Sequence, residues 1–192
     1  MRIVGGIAAG RLLKVPKGFA VRPTPDLVKQ ALFNSLGERV RQTRVLELFA
    51  GTGALSLECL SRGALQAVCV EKNRHHAEII LGNLETAGLP PANLEIRVQD
   101  VFTALSQLAS SERKFDLILA DPPYGEKNVG WRSTSFAQRL LDDPNLPLLL
   151  AAEGLFILGH SKRDTLSLPT SWTELRRLKH GDSLLAFLQK AP

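Results

Sequence analysis

The sequence predicts an α/β fold in which a mostly parallel sheet carries helices on both faces and closes with a C-terminal antiparallel hairpin. Three features lead there. Strand-like apolar runs recur from residue 45 to residue 158, helix-length stretches separate them, and after residue 158 two strand-like segments instead flank a tight turn, "HGD". A parallel neighbour needs a long crossover, and crossover helices cover both faces of a sheet, so the first two features imply parallel pairing. The third implies antiparallel pairing, because a short turn joins adjacent antiparallel strands.

Residues 1–30 hold six basic side chains, Arg2, Arg11, Lys14, Lys17, Arg22 and Lys29, against Asp26 alone. The net charge of the whole chain is +5, so this segment carries the full excess and the remainder balances. A basic arm, residues 1–23, ahead of a neutral body, residues 24–192, suggests a polyanionic partner, with a solvated arm kept for solubility as the plainer alternative. The first helix is expected at Thr24-Pro25-Asp26, which offers a capping hydroxyl, a proline at the first helical position and an acid in the first turn. Leu27, Val28, Ala31, Leu32 and Leu36 form its apolar stripe, and Gly37 its stop.

The strand candidates are "VLELFA" (45–50), "AVCVE" (67–71), "LEIRV" (94–98), "FDLILA" (115–120) and "GLFIL" (154–158). Helices are expected near 53–62, 74–87, 101–110 and 134–142. Residues 161–171 are too polar and too Pro-broken for another crossover helix, whereas "WTELRRLK" and "SLLAFLQ" on either side of "HGD" read as a hairpin.

With 192 residues and 44% apolar content, the chain can bury one good core. No apolar run reaches the length of a membrane span and the first ten residues lack a signal-peptide core, so a soluble, cytoplasmic, unexported protein is expected. Cys59 and Cys69 sit among apolar neighbours without a clustered His pattern, which implies buried free thiols and no metal site. His75, His76, His160 and His180 are scattered and read as surface or hairpin residues.

In an open α/β sheet, ligands bind beyond the carboxyl ends of the strands. The first of these, "ELFAGTGAL", turns through Gly51 and Gly53 into a helix, where backbone can approach a ligand and amides are unpaired. Two glycines also serve plain packing. Glu71, 20 residues after Gly51, stands where an acid accepts from ribose hydroxyls, with Lys72 flanking an adenine, or else caps the next helix. Asp100 ends the third strand, as an acceptor for an adenine amine or as a helix cap. A dinucleotide fingerprint would need a third glycine where this chain has Ser56. Glu47 is a poor neighbour for pyrophosphate and a good one for an ammonium, which favours S-adenosylmethionine.

The fourth strand ends in Asp121-Pro122-Pro123-Tyr124. Asp121 and the carbonyl of Pro122 can accept the two protons of an exocyclic base amine, draw its nitrogen toward tetrahedral geometry and free its lone pair. The prolines set the turn and remove competing N–H donors. Tyr124 can stack on a base, a contact worth roughly 1–3 kcal/mol. The plainer reading, a Pro-rich turn with an aromatic plug, is uncommon straight after a buried strand ending in Asp.

D-P-P-Y together with "ELFAGTG" resembles the class I S-adenosylmethionine-dependent methyltransferases that act on exocyclic amines of bases, whose sheet is Rossmann-like and seven-stranded. "RIVGG" and "VRPTPDLVKQALFNSL", with "HSKR" and "HGDSLLAFL" near the end, narrow the resemblance to the RsmD-like bacterial enzymes that methylate guanine N2 in small-subunit ribosomal RNA. It implies that Glu47, Phe49, Ala50, Gly51 and Gly53 surround the methionine part of the cofactor. Glu71 and Lys72 would take the ribose side, Asp100 and Val101 the adenine, and Asp121 through Tyr124 the target guanine, with Arg22 and Thr24 closing the pocket. Arg2, Arg11, Lys14 and Lys17 would meet RNA within the small subunit or an assembly intermediate, and no metal, no membrane and a monomer are expected. Two departures stand out: the family often has an acid where this chain has Gly159, and the loop after Tyr124 is longer here. The alternatives are a DNA or RNA methyltransferase acting on adenine N6 or cytosine N4, for which no target-recognition domain fits, and an inactive RNA-binding assembly protein.

Overall fold

A computed structural model describes residues 1–16, 25–124 and 131–192. Its seven strands are β1 (Arg44–Leu48), β2 (Gln66–Glu71), β3 (Leu94–Val98), β4 (Phe115–Ala120), β5 (Leu150–Ser161), β6 (Trp172–His180) and β7 (Ser183–Lys190). They form one sheet in the order β3-β2-β1-β4-β5-β7-β6, in which only β7 runs antiparallel to its neighbours. The expected parallel core and closing hairpin are both present. The order reverses at β1 and β4, which places the switch point beyond Leu48 and Ala120.

The helices are α1 (Asp26–Leu36), α2 (Ala54–Ser61), α3 (Arg74–Ala87), α4 (Val101–Ser110), α5 (Phe136–Asp142) and α6 (Leu146–Leu149). Side chains alternate across β1: Val45 joins the core formed with α1, α2 and α3, while Leu46 and Leu48 join the one formed with α4, α5 and α6. Asn73 caps α3 by accepting the amides of His75 and His76 at 2.9 and 3.3 Å, and Gly88 ends it in the left-handed region at φ 66°. Helix α6 has no counterpart among the expected helices, and β5 starts at Leu150 rather than 154. Leu150 pairs with Phe115 and Leu155 with Leu117, so 151–154 bulge out of the ladder and mask the strand's true start.

Helix α1 differs from its predicted stripe. Leu27 is 64% exposed and Ala31 is exposed, whereas Val28, Lys29, Leu32, Phe33 and Leu36 are buried. Lys29 is tolerated in that stripe because its ammonium lies 3.2 Å from the Asp26 carboxylate and donates to the Arg2 carbonyl. It is therefore unavailable to a polyanion. The helix begins after Pro25, and the expected cap, Thr24, lies outside the described residues, as do Lys17 and Arg22.

The described part of the arm packs on the body. Ile3, Ala8 and Leu13 are buried, and Arg2 and Leu12 form an antiparallel bridge. Glu58, fully buried on α2, accepts the Val4 amide at 2.8 Å and pairs with Arg62 at 2.8 Å. At Gly6, φ is 75° and a Cβ would lie 1.9 Å from the Ser61 carbonyl oxygen, so only glycine allows this approach. Among the described residues no helix is long and apolar enough to cross a membrane. Both cysteines are buried and free, as expected, and burial pushes both thiols well up.

Candidate functional site

Beyond the carboxyl ends of β1, β2 and β4 lies a cavity of about 410 Å³. Its walls include Glu47, Phe49, Ala50, Gly51, Glu71, Lys72, Asp100, Val101 and the whole of Asp121-Pro122-Pro123-Tyr124. Gly53 stands one layer behind: it precedes α2 at φ 71°, and a Cβ there would come within 2.8 Å of Ile80 Cγ2, so its role is close packing of α2 on α3. Arg2, Arg11 and Lys14 lie outside the cavity walls.

Each acid is held differently. Glu71 is buried, with one carboxylate oxygen accepting the Gly51 amide at 2.8 Å and the other the Asn73 amide at 2.9 Å. It is not the helix cap, since Asn73 serves that purpose. Instead it ties the end of β2 to the turn after β1. Asp100 does cap its helix, accepting from Phe102 and Thr103 at 2.9 and 3.4 Å, and also faces the cavity. Glu47 is 3% exposed and accepts the first amides of α2, Ser56 at 2.8 Å and Leu55 at 3.3 Å, while the Cys69 thiol donates at 3.6 Å. Burial pushes its carboxyl up to about 7, against the pull of those donors.

Between β1 and α2, Phe49 adopts φ 57°, a left-handed conformation that a bulky residue rarely takes. Its ring packs against Phe136 with centroids 5.2 Å apart, and Phe136 in turn stacks near Phe102 at 6.4 Å. The guanidinium of Arg139 lies 4.1 Å from the Phe102 centroid. This wall makes one side of the cavity apolar.

Asp121 owes its position partly to Gly159 on the neighbouring strand. A Cβ at 159 would stand 2.6 Å from Asp121 Oδ1 and 3.2 Å from its Cγ. The absence of a side chain at 159 thus leaves clear the space the carboxylate occupies. Tyr124 is 39% exposed at the mouth, and its hydroxyl shares a 2.6 Å hydrogen bond with Ser183 Oγ at the start of β7.

Sequence reading missed several wall residues: Phe136, Thr52, Asn73, His76 and Ser183. Asn73 was recoverable as a cap before "RHHAEII"; Phe136 and Ser183 were not, because nothing local says which loop folds over a cavity. Two histidines depart from the surface or hairpin positions expected of them. His160 is 4% exposed on β5, where its Nδ1–H donates to the Ser161 carbonyl at 3.0 Å and burial lowers its pKa. His76 lines the cavity with Nδ1 3.5 Å from a Glu71 oxygen. Among the described residues no three His, Cys, Asp or Glu side chains gather as metal ligands.

Sheet order, an inserted antiparallel β7 and a cavity over β1, β2 and β4 define a class I methyltransferase fold. Solved structures share it over nearly the whole chain: a hypothetical protein from Thermus thermophilus, at 30% identity and TM-score 0.80, covers 98% of this chain and 99% of its own. An Escherichia coli chain at 29% identity and TM-score 0.78 covers 100% and 98%. The protein belongs to the family described as Conserved hypothetical protein 95, whose model matches residues 1–189. Relatives named ribosomal RNA small subunit methyltransferase D include one from Haemophilus influenzae, 32% identical over 94% of this chain and 89% of its own. One from Escherichia coli is 37% identical over 65% of this chain and 60% of its own length.

Proposed function

We propose that this protein is an S-adenosylmethionine-dependent methyltransferase that modifies the exocyclic N2 amine of a guanine in small-subunit ribosomal RNA. The observation that carries the reading is the convergence of Asp121-Pro122-Pro123-Tyr124 with Glu47 and Glu71 on one cavity. The relatives' names support the substrate. The cavity suits the cofactor chemically: about 410 Å³, with buried acids toward an ammonium and a ribose and apolar walls from Phe49, Val101 and Phe136 for flat and apolar parts. When bound, S-adenosylmethionine supplies a methyl group activated by its sulfonium.

The protein's share is orientation and electrostatics. Asp121 and the Pro122 carbonyl accept the amine protons, which holds the nitrogen lone pair toward the methyl donor. Asp121, ionised, also accepts a proton as the product forms. Tyr124 stacks on the base, and its bond to Ser183 keeps the ring from swinging away. Glu47 takes the ammonium of the cofactor and Glu71 its ribose.

The direct test is incubation with labelled S-adenosylmethionine and separate pools of DNA, naked ribosomal RNA and small-subunit particles, followed by nucleoside analysis. N2-methylguanosine in the ribosomal pools is the expected product. Label on adenine, on cytosine or in DNA would overturn the reading.

Two consequences follow for variants. Glu71→Ala removes the shared acceptor of Gly51 and Asn73, and of the ribose; cofactor affinity should fall by roughly 1.5–3 kcal/mol, measured by calorimetry on a folded protein. Unchanged affinity would remove Glu71 from the cofactor site. Replacing Arg11 and Lys14, both exposed, with Ala should flatten the salt dependence of RNA binding by about 0.7–0.9 in slope per lost phosphate contact. Cofactor affinity should not change, and an unaltered slope would return the arm to a solubility role.

A further inference from the structure

The C-terminal hairpin brings a second set of cations to the cavity mouth, on the flank opposite the arm. Because β5 is parallel to β4, Ser161 ends at the same edge of the sheet as Asp121. β7 runs the other way and starts there at Ser183, and β6 ends there at His180. Three strand ends therefore meet beside Tyr124, to which Ser183 is bonded at 2.6 Å.

This corner is basic. Lys162 donates its amide to the Asp182 carbonyl at 2.9 Å and pairs with the Asp182 carboxylate at 2.5 Å, which stitches the end of β5 to the hairpin turn and neutralises that acid. Asp164, the other acid close by, is buried. Arg177 is occupied by Glu174 through bonds of 3.0 and 2.5 Å, and Arg176 by the Ser35 carbonyl at 2.7 Å. Arg163 and Lys179 are exposed and form no ion pair among the described residues. Charge on an edge strand also discourages pairing with another sheet. That purpose is met along the body of β6; it does not require cations gathered at the one end that borders the cavity.

We propose that Arg163 and Lys179 bind RNA phosphates next to the target nucleotide, so that the substrate is held from both sides, by the arm near Thr52 and by the hairpin near Ser183. The arm's side of this clamp is built through Asn83, whose side chain holds both the backbone of Lys14, at 2.7 and 3.0 Å, and the Thr52 carbonyl at 3.1 Å. Thr52 and Ser183 are both cavity walls, and they lie on opposite sides of β4 in the strand order. Phosphate contacts position a strand without reading sequence, which is what a base drawn into a fixed pocket requires of its neighbours.

This inference rests on the ribosomal RNA reading above, and the test separates the two. RNA affinity of Arg163→Ala/Lys179→Ala would be measured across a salt series, beside wild type and an Arg39→Ala/Arg41→Ala control that removes equal charge just ahead of β1, at the opposite edge of the sheet. The expected result is a slope of log K against log salt shallower by about 1.4–1.8 in the hairpin variant, unchanged in the control, with cofactor affinity intact in both. A wild-type slope in the hairpin variant, or an equal loss in the control, would overturn the clamp while leaving the methyltransferase reading in place. Failure of the wild type to bind and methylate ribosomal RNA would overturn both.

Discussion

Asp121→Ala slows methyl transfer at saturating cofactor and RNA by roughly 10²–10³-fold while cofactor affinity stays within about a few-fold of wild type. Under the function proposed above, the carboxylate meets an amine whose nitrogen becomes tetrahedral and positive as the reaction proceeds, so the contact strengthens toward the transition state and its loss raises the barrier more than it weakens binding. Asp121→Asn should be milder, because an amide oxygen still accepts but carries no charge. Gly159→Ala provides an independent check, since its Cβ would intrude to 2.6 Å from Asp121 Oδ1 and displace the carboxylate. It should slow transfer in the wild-type background and add little in the Asp121→Ala background, as expected for residues acting through one contact. Tyr124→Ala differs in kind: stacking acts in the ground state too, so the RNA requirement should rise as the rate falls. Single-turnover assays separate these cases, and near-normal transfer by Asp121→Ala would reduce the motif to a turn.

The second large effect concerns Glu47 and pH. Its carboxyl is pushed from 4.5 up to about 7, chiefly by burial. A carboxyl raised on folding holds its proton longer in the native state, so stability is full below about 4.5 and is lost as pH rises toward 7. The loss amounts to about 3 kcal/mol, at 1.36 kcal/mol per pK unit. Glu47→Gln cannot titrate, so wild-type stability should decline relative to the variant across that window. Asp26 and Glu95, whose pKa values are lowered in the folded protein, contribute the opposite slope and cancel in the comparison. Denaturant titrations from pH 4 to 8 measure the difference, and parallel curves would sink the assignment. A cofactor ammonium beside Glu47 favours the ionised form. Binding should therefore release a proton near pH 6 and tighten toward neutrality, visible in calorimetry as a heat that depends on the buffer's ionisation enthalpy.

The strand ends show what could be read in advance. Glu71 and Asp121 close apolar runs, Asp100 follows the third strand and Glu47 lies one residue before the end of the first, and a sheet with helical crossovers brings such ends to one edge by topology alone. Their individual bonds were less accessible. Glu71 and Asp100 offered the same two readings from position, ligand acceptor or helix cap, and the structure separates them: Asn73 caps α3 and releases Glu71 to the turn, whereas Asp100 caps α4 itself. Lys29 shows the reverse failure. It counted as part of a basic arm because charge is summed along the chain, but helix geometry puts it on the buried stripe with Phe33, neutralised by Asp26 and a carbonyl from the arm.

By itself, then, the sequence determined the α/β order of elements, the parallel core with its closing hairpin, the loops that border the cavity, and the adjacent D-P-P-Y motif beyond the fourth strand. Those features are local: periodicity of two or 3.6, turn residues at strand ends, and a motif whose four members are adjacent. The tertiary structure alone decided that Gly159 makes room for Asp121, that Ser183 holds Tyr124 across 59 residues, that Phe136 closes the apolar wall, and that the arm docks on α2. Each of these is a contact between segments distant in sequence, set by how the faces of one sheet bury their apolar side chains. No local pattern encodes it.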